Sequence, residues 1–256
     1  MKARVKEYIF RFLNLFFRRL TNGSILMYHS VGDNGSHITV SEHNFLKQMQ
    51  YLKARRFNVV SLEELACALR ENRDISNMVV LTFDDGYEDN YTVAYPILKK
   101  FGFPATIFVA TGLIGKSLKT SAGVEIPMMS EKQVKLLARD QNISLMPHGQ
   151  THRVLTQIDF DSAKKEIVDS KKDMEEITGQ VIQSFAPPKG KYNNEILSII
   201  KEAGFQINVG VREGLTRKDD SVMELKRNSI DRTTTMAQFR GKLSRTIDVY
   251  HSLKIW

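Results

Sequence analysis

Cysteine, tryptophan and proline are scarce in this sequence, and repeats are absent. The 256 residues include one cysteine, one tryptophan and six prolines. The single cysteine, Cys67, excludes an internal disulfide and is compatible with the cytosol, although it does not prove that location. It lies in a helical pattern, where we expect it to pack against neighbouring side chains. Without internal repeats or low-complexity tracts, the sequence is not that of a solenoid or a disordered chain.

The composition favours a folded, basic protein. Apolar residues make up 42% of the chain, enough for a sizeable core. A length of 256 residues suits one large domain or two small ones, and a single alternating α/β barrel often reaches it. The formal net charge is +8, which suits nucleic acid, an anionic membrane or simple solubility. No nucleic-acid-binding motif accompanies the charge, so we predict no nucleic-acid partner.

Residues 1–20 form the most unusual segment. Arg11 and Asn14 interrupt the apolar run, so the segment does not suit a transmembrane helix or the apolar region of a cleaved signal. Two interpretations remain: an amphipathic helix that lies in a membrane interface, and a helix that packs on the rest of the protein. The segment combines aromatic residues with six basic ones, which slightly favours the first interpretation. The basic residues are Lys2, Arg4, Lys6, Arg11, Arg18 and Arg19.

The sequence therefore predicts a basic amphipathic helix over 1–22 and a catalytic domain over 23–256. We expect the helix to hold the protein to an anionic membrane surface, at its cytoplasmic face. The competing possibility is an uncleaved signal-anchor that places the domain outside the cell.

Strands and helices alternate along residues 23–256, a pattern that predicts a parallel sheet. The predicted strands are 25–31, 57–60, 78–83, 105–110, 143–146, 182–186, 205–211 and 222–230. The predicted helices begin at 41, 61, 91, 130, 161, 195 and 236. The helix at Ser61 opens with a capping-box pattern, residues 112–127 are predicted to be a loop, and 236–253 one final helix. The charged residues of 161–177 are predicted to face solvent.

Two acidic residues end the central predicted strand, 78–83. Residues 79–86 are VVLTFDDG, so Asp84 and Asp85 directly follow a buried strand. Because side chains alternate along a strand, these carboxylates point in different directions, one towards a metal and one towards substrate or water. A second cluster, His148 and His152, follows the strand 143–146. One Asp with two His is a candidate ligand set for zinc or a similar divalent ion.

These residues carry a resemblance to a known family. The segments TFDDG (82–86) and HGQTH (148–152) resemble the motifs of the polysaccharide deacetylase (NodB-like) family of carbohydrate esterases. Residues 26–31 (LMYHSV) resemble the opening strand of members that act on poly-N-acetylglucosamine, and 185–193 (FAPPKGKYN) resemble a third family motif. The resemblance covers roughly residues 24–240 and implies a distorted (β/α) barrel of about seven strands.

The resemblance also implies a metal-dependent mechanism. The resemblance implies that a divalent ion is held by Asp85, His148 and His152. Zinc is the expected ion, and nickel, cobalt and iron are the alternatives. Asp84 is then the general base. The two histidines could share one helix face, but Pro147 and Gly149 favour a turn. Independently of the motifs, each cluster follows the end of a predicted strand, where barrel enzymes place their active sites.

The third motif departs from the family pattern at two positions. Ala186 stands where the family often has an arginine that holds the base, and Lys189 stands where it often has a tyrosine. The oxyanion-binding group there is a backbone N–H, so Lys189 can keep this role. Pro188 and Gly190, on either side of it, are expected to belong to the same substrate- and oxyanion-binding turn. Arg227, from a later strand, is either the substitute partner of Asp84 or a surface residue.

The general acid lacks a clear sequence signal. The family often uses a histidine in a Leu-x-His motif, which we do not find here. His29, at the end of the first strand, is the candidate acid or a substrate-binding group, and His251 is expected to be structural. The sequence thus predicts an N-deacetylase acting on an N-acetylated amino sugar in a polymer, an oligosaccharide or a lipid-linked glycan. The alternative is a catalytically impaired member that only binds glycan.

Overall fold

Parallel strands form the centre of the molecule. The computed structural model describes residues 2–17 and 19–253, with the side chains of Lys2 and Ala3 left out. The strands, in chain order, are β1 (Ser24–Tyr28), β2 (Ser30–Val31), β3 (Thr39–Val40), β4 (Asn58–Val59), β5 (Met78–Phe83), β6 (Ala105–Val109), β7 (Ser117–Lys119), β8 (Glu125–Pro127), β9 (Ile143–Pro147), β10 (Ser184–Phe185), β11 (Ile207–Asn208) and β12 (Asn228–Ser229).

Seven of these strands form a distorted barrel. The order β12-β1-β5-β6-β9 is continuous and parallel, and β10 pairs with β11. The backbone N–H of Ala186 bonds to the carbonyl of Pro147 at 3.5 Å, which joins β10 to β9. A parallel bridge between Val209 and Leu225 joins β11 to the chain that leads into β12. The predicted distorted (β/α) barrel is thus confirmed.

Helices cover the outside of the barrel. In chain order they are α1 (Lys2–Phe16), α2 (Glu42–Ala54), α3 (Leu62–Arg70), α4 (Tyr95–Phe101), α5 (Glu131–Leu137), α6 (Phe160–Thr178), α7 (Asn194–Glu202), α8 (Met236–Lys242) and α9 (Thr246–Ser252). Short polar side chains begin many of them: Asp159, for example, accepts from the N–H of Ser162 at the start of α6. Gly179 ends the same helix in the left-handed conformation.

The central core is continuous and rich in aromatic residues. Tyr28, Phe45 and Phe83 are fully buried, and their ring centroids lie 5.2–5.9 Å apart. The Tyr28 hydroxyl reaches Gln48 at 2.9 Å, so its polar end is satisfied. This cluster fixes β1, α2 and β5 against one another directly below the carboxyl ends of β1 and β5.

The N-terminal helix packs on α8 and α9. Phe10 is fully buried, and its ring lies 4.8 Å from that of Tyr250. Asn14 donates to the carbonyl of Ala237 at 2.8 Å and accepts from Thr246 at 3.0 Å. The helix therefore packs on the protein, yet its outer face stays exposed. No helix within residues 2–17 and 19–253 is long and apolar enough to cross a membrane.

Local structure differs from the sequence prediction in several places. The predicted strand 25–31 is divided at His29 into β1 and β2, and β10 is shorter than predicted. The predicted loop 112–127 contains an antiparallel hairpin of β7 and β8. The predicted final helix is two helices, because the chain turns between Lys242 and Thr246. Strands β11 and β12 are shorter than predicted. At the start of α3 the Ser61 side chain accepts from the N–H of Glu64, as in a capping box. The Glu64 side chain does not complete the box and instead pairs with Arg73 at 2.9 Å.

Candidate metal and active site

The chemically important side chains meet at one end of the barrel. His29 follows β1, Asp84 and Asp85 follow β5, His148 follows β9, and Pro188 begins a short turn after β10. Because these strands are parallel, their carboxyl ends lie at the same end of the barrel. The predicted convergence of the motifs is therefore present in the structure.

Three side chains form a candidate metal site. Potential ligand atoms of Asp85, His148 and His152 all lie within 4.8 Å of one another. Asp85 Oδ1 is 3.1 Å from His152 Nε2 and 3.5 Å from His148 Nε2. Two imidazoles and one carboxylate are a common protein ligand set for zinc, and they leave a coordination position open. The residues therefore fit a divalent ion.

A second contact prepares His148 for this role. Its Nδ1 lies 2.7 Å from the carbonyl of Ala186. A proton on Nδ1 donates to that carbonyl and leaves the lone pair of Nε2 directed at the site. Burial lowers the pKa of His148 to about 4, against the opposing effect of the Asp84 charge. The ring is therefore neutral at physiological pH, as a metal ligand must be.

The carboxylate of Asp85 is held in its ionised form. Burial alone would raise its pKa, but the hydrogen bond from His152 and the charges of the neighbouring histidines lower it overall. Burial alone would lower the pKa of His152, but the hydrogen bond to Asp85 outweighs the effect of burial and raises this pKa overall. Asp85 therefore carries a negative charge that suits a cation ligand.

Three non-glycine residues at this site adopt left-handed backbone conformations. Asp85 has φ 73°, His152 φ 60° and Lys189 φ 55°. Such conformations cost about 1–3 kcal/mol each and persist only where surrounding contacts enforce them. His152 lies in a turn rather than a helix, as Pro147 and Gly149 indicated. The left-handed turn brings its ring within 5.2 Å of the His148 ring.

Glu166 of α6 holds that turn. Its carboxylate accepts from the N–H groups of Gln150 at 2.9 Å and Thr151 at 2.8 Å, and from the Thr151 hydroxyl. Glu166 is not among the predicted site residues, because the pattern of 161–177 predicts that its charged residues face solvent. A signal was available: Glu166 falls at helical spacing on the buried face of α6, with Ala163 and Ser170.

Asp84 forms a buried ion pair with Arg227. Arg227 donates to both carboxylate oxygens of Asp84, at 2.6 and 2.7 Å, and its Nε donates to the carbonyl of Gly210 at 2.8 Å. The arginine side chain is fully buried and the Asp84 side chain 4% exposed. Burial would raise the pKa of Asp84, but Arg227, His148 and His29 lower it overall. Arg227 is therefore the partner of Asp84 and not a surface residue.

The third motif lies beside the candidate metal site. Pro188–Gly190 form one short helical turn, and a side chain at Gly149 would lie 3.2 Å from Pro188. Gly190 approaches Val211 so closely that any added Cβ would be 2.4 Å from it. The substrate- and oxyanion-binding role of this turn, with Lys189 as the N–H donor, stays a prediction.

The candidate acid, His29, lies near both acidic residues. Its charge contributes to lowering the pKa of Asp84 and of Asp85. Its backbone carbonyl accepts from Asn90 at 2.7 Å, which fixes the end of β1. Its role in catalysis stays a prediction. His251, in contrast, lies on α9, where its Nε2 is 3.0 Å from Glu213.

Comparison with known proteins extends the geometric argument. Residues 71–208, more than half of the chain, match the family model described as polysaccharide deacetylase. YxkH of Bacillus subtilis (strain 168), whose name places it with the polysaccharide deacetylases, is 33% identical over 204 residues. These cover 79% of this chain and 69% of that protein. The chain belongs to the polysaccharide deacetylase family.

Two further relatives agree with this placement. The poly-beta-1,6-N-acetyl-D-glucosamine N-deacetylase of Staphylococcus aureus (strain MSSA476) is 26% identical over 185 residues, which are 68% of this chain and 62% of that protein. The Streptococcus pyogenes deacetylase PplD, solved in complex with acetate, superimposes with a TM-score of 0.76 and 29% identity. That match covers 87% of this chain and 98% of PplD.

Proposed function

We propose that this polysaccharide deacetylase family member removes the N-acetyl group from an amino sugar in a poly- or oligosaccharide or a lipid-linked glycan. Poly-β-1,6-N-acetylglucosamine is the first substrate to test, because the S. aureus relative is named for it. The observation that carries the proposal is the pairing of a three-ligand metal site with an ionised carboxylate on the adjacent residue. This pairing suits amide hydrolysis.

Hydrolysis of the amide needs a polarised carbonyl, an activated water and a proton for the leaving amine. A divalent ion held by Asp85, His148 and His152 would polarise the carbonyl and lower the pKa of water to about 7. Zinc is the first choice for this ligand set, with nickel, cobalt and iron as alternatives. The products are acetate and a free amino sugar.

The protein's own residues handle the protons and the charge. Asp84, kept ionised by Arg227, accepts a proton from the attacking water. The backbone N–H of Lys189 donates to the oxygen that gains negative charge as the acyl carbon becomes tetrahedral. His29 donates a proton to the leaving nitrogen as the carbon–nitrogen bond breaks.

The alternative function is glycan binding without catalysis. The replacement of the motif-three arginine by Ala186 favours this alternative. Against it, Arg227 supplies the bidentate partner that Asp84 would otherwise lack. A buried carboxylate and its ion pair are costly to retain without a use, so we favour the enzyme.

A substrate panel tests the proposal. Acetate release is measured from β-1,6-linked and β-1,4-linked N-acetylglucosamine oligomers and from a lipid-linked N-acetylated glycan, with zinc-loaded full-length protein. We expect acetate release from at least one of these substrates, and the fastest release from the β-1,6-linked oligomers. The Ser198→Ala variant, changed on the outer surface of α7, serves as the control. Binding without acetate release from any of the three would support the non-catalytic alternative.

The cellular location is part of the proposal. We place the protein at the cytoplasmic face of the membrane, where it would meet glycans during their synthesis. An uncleaved signal-anchor with an external barrel is the alternative. Protease added to intact cells distinguishes them: the barrel should survive in the first case and be degraded in the second.

A further inference from the structure

Helix α1 concentrates the exposed apolar surface of this protein. Five of the eleven large apolar side chains that are exposed in the described chain lie on this one helix, and the other six are dispersed over the rest. Tyr8 is 70% exposed and Phe16 66%. The five are Val5, Tyr8, Phe12, Leu15 and Phe16. Concentrated exposure of this kind marks an interaction surface rather than ordinary surface variation.

These five side chains form one stripe. At about 100° of rotation per residue, they fall on the side of the helix opposite Phe10, which is buried against α8 and α9. Phe12 and Phe16, one turn apart, lie edge to face with centroids 5.2 Å apart. The inner face of α1 is thus used for packing, whereas the outer apolar stripe is exposed.

Arginines border one edge of the stripe. Arg4 and Arg11 are exposed on that edge. Beyond them, a groove of about 670 Å³ runs between α1, α2 and α8, with Arg11, Arg55 and Arg240 in its lining. The guanidinium of Arg240 lies over the ring of Tyr51 at 5.2 Å. Among the described residues that line the groove, the only acidic one is Glu7, which pairs with Arg11 at 2.7 Å. The groove is therefore net positive.

We propose that the stripe and the groove together dock the protein on an anionic membrane, with a lipid phosphate headgroup in the groove. The aromatic stripe suits the boundary between acyl chains and headgroups, where amphipathic helices with aromatic and basic residues lie. The adjacent arginines suit the phosphate groups at the same depth. In an antiparallel dimer through this face the arginine edges of the two copies would meet, so charge disfavours that arrangement.

Vesicle co-sedimentation of the full chain tests the stripe. Vesicles of phosphatidylcholine with equimolar phosphatidylglycerol are compared with vesicles of phosphatidylcholine alone. The Phe12→Ser/Phe16→Ser variant should lose on the order of fiftyfold in partitioning to the anionic vesicles. Val181→Ser, at an exposed position far along the chain, is the matched control and should bind as the unmodified protein does.

The groove is tested in the same assay. The Arg55→Gln/Arg240→Gln variant should bind the anionic vesicles about tenfold or more weakly, because each basic residue near such a surface adds about a fivefold gain. Lys132→Gln/Arg139→Gln removes the same charge from the exposed surface of α5 and the turn that follows it, and should have a much smaller effect.

Three outcomes would overturn the proposal. They are equal binding to both vesicle types, unchanged binding of the stripe or groove variants, and a stripe variant that changes only the oligomeric state. Zinc content and acetate release on soluble oligosaccharide should stay unchanged in all these variants. A failure of docking is therefore distinguishable from a failure of the proposed enzymatic function.

Discussion

Replacement of Arg227 by methionine tests the ion pair at the centre of the site. Methionine keeps much of the side-chain volume but removes the charge and all four hydrogen bonds of the guanidinium. Two of these bonds go to Asp84, one to the Gly210 carbonyl and one, at 3.2 Å, to the Thr82 hydroxyl. The variant therefore leaves Asp84 as a buried and unpaired carboxylate.

The expected cost is large. Breaking a buried ion pair on one side typically costs about 3–5 kcal/mol, and both partners here are almost completely buried. For a domain of this size, each 1 kcal/mol moves the melting temperature by about 2–4 °C, so Arg227→Met should lower it by roughly 10 °C. Without the arginine, burial favours the protonated form of Asp84, and the rate should fall by about 10²–10⁴ as the base is lost.

Urea unfolding of metal-free protein, followed by circular dichroism, measures the stability loss without a contribution from bound metal. Arg212→Met, at an exposed arginine nearby in the chain, is the control and should change stability little. The double variant Asp84→Asn/Arg227→Met should be more stable than Arg227→Met alone, because it leaves no unpaired buried charge at these two positions. A loss below about 1 kcal/mol in the single variant, or a double variant as unstable as the sum of the two singles, would refute this reasoning.

Three further predictions concern the metal site and its surroundings. His148→Ala should abolish zinc retention, measured by atomic absorption, and full occupancy would show that His148 is not a ligand. Glu166→Ala should weaken zinc affinity about 10–100-fold in a chelator competition, since it releases the turn that carries a ligand. Glu176→Ala, on the exposed face of the same helix, is the control and should leave the affinity unchanged. If the two variants bind zinc equally well, Glu166 contributes only to stability. Burial raises the pKa of Asp89 to about 6, against the hydrogen bond from Ser30. Because the folded state then binds this proton more tightly than the unfolded chain, with its pKa near 4, the contribution of Asp89 to stability should fall as pH rises from about 4 to 6. The melting temperature of Asp89→Asn relative to the unmodified protein should therefore rise between pH 4 and 6, and a difference that does not change with pH would contradict the origin in Asp89.

The strongest local patterns predicted the fold well. The apolar run ending in Asp84 and Asp85 gave β5 with its observed bounds, Met78–Phe83. The pattern of this single strand predicts where the two carboxylates lie, but it does not predict which residues contact them. Arg227 lies 143 residues beyond Asp84, and only the closing of the barrel brings the two together.

Side chains whose role depends on tertiary contacts were harder to predict. Glu166 looks like one more charged residue of an exposed helix until the turn 149–151 is placed against it. The hairpin of β7 and β8 was missed because its strands are three residues each and mostly exposed. The last helix divides at Leu243–Arg245, where the chain turns to pack α9 beside α1.

Acetate release from poly-β-1,6-N-acetylglucosamine, measured for the unmodified protein and for Asp84→Asn at equal zinc content, tests the central claim most directly. The account predicts zinc-dependent release by the unmodified protein. It also predicts that the variant retains zinc and glycan binding and loses about 10²–10⁴ of the rate. Glycan binding without acetate release by the zinc-loaded unmodified protein, or near-normal turnover by Asp84→Asn, would contradict it.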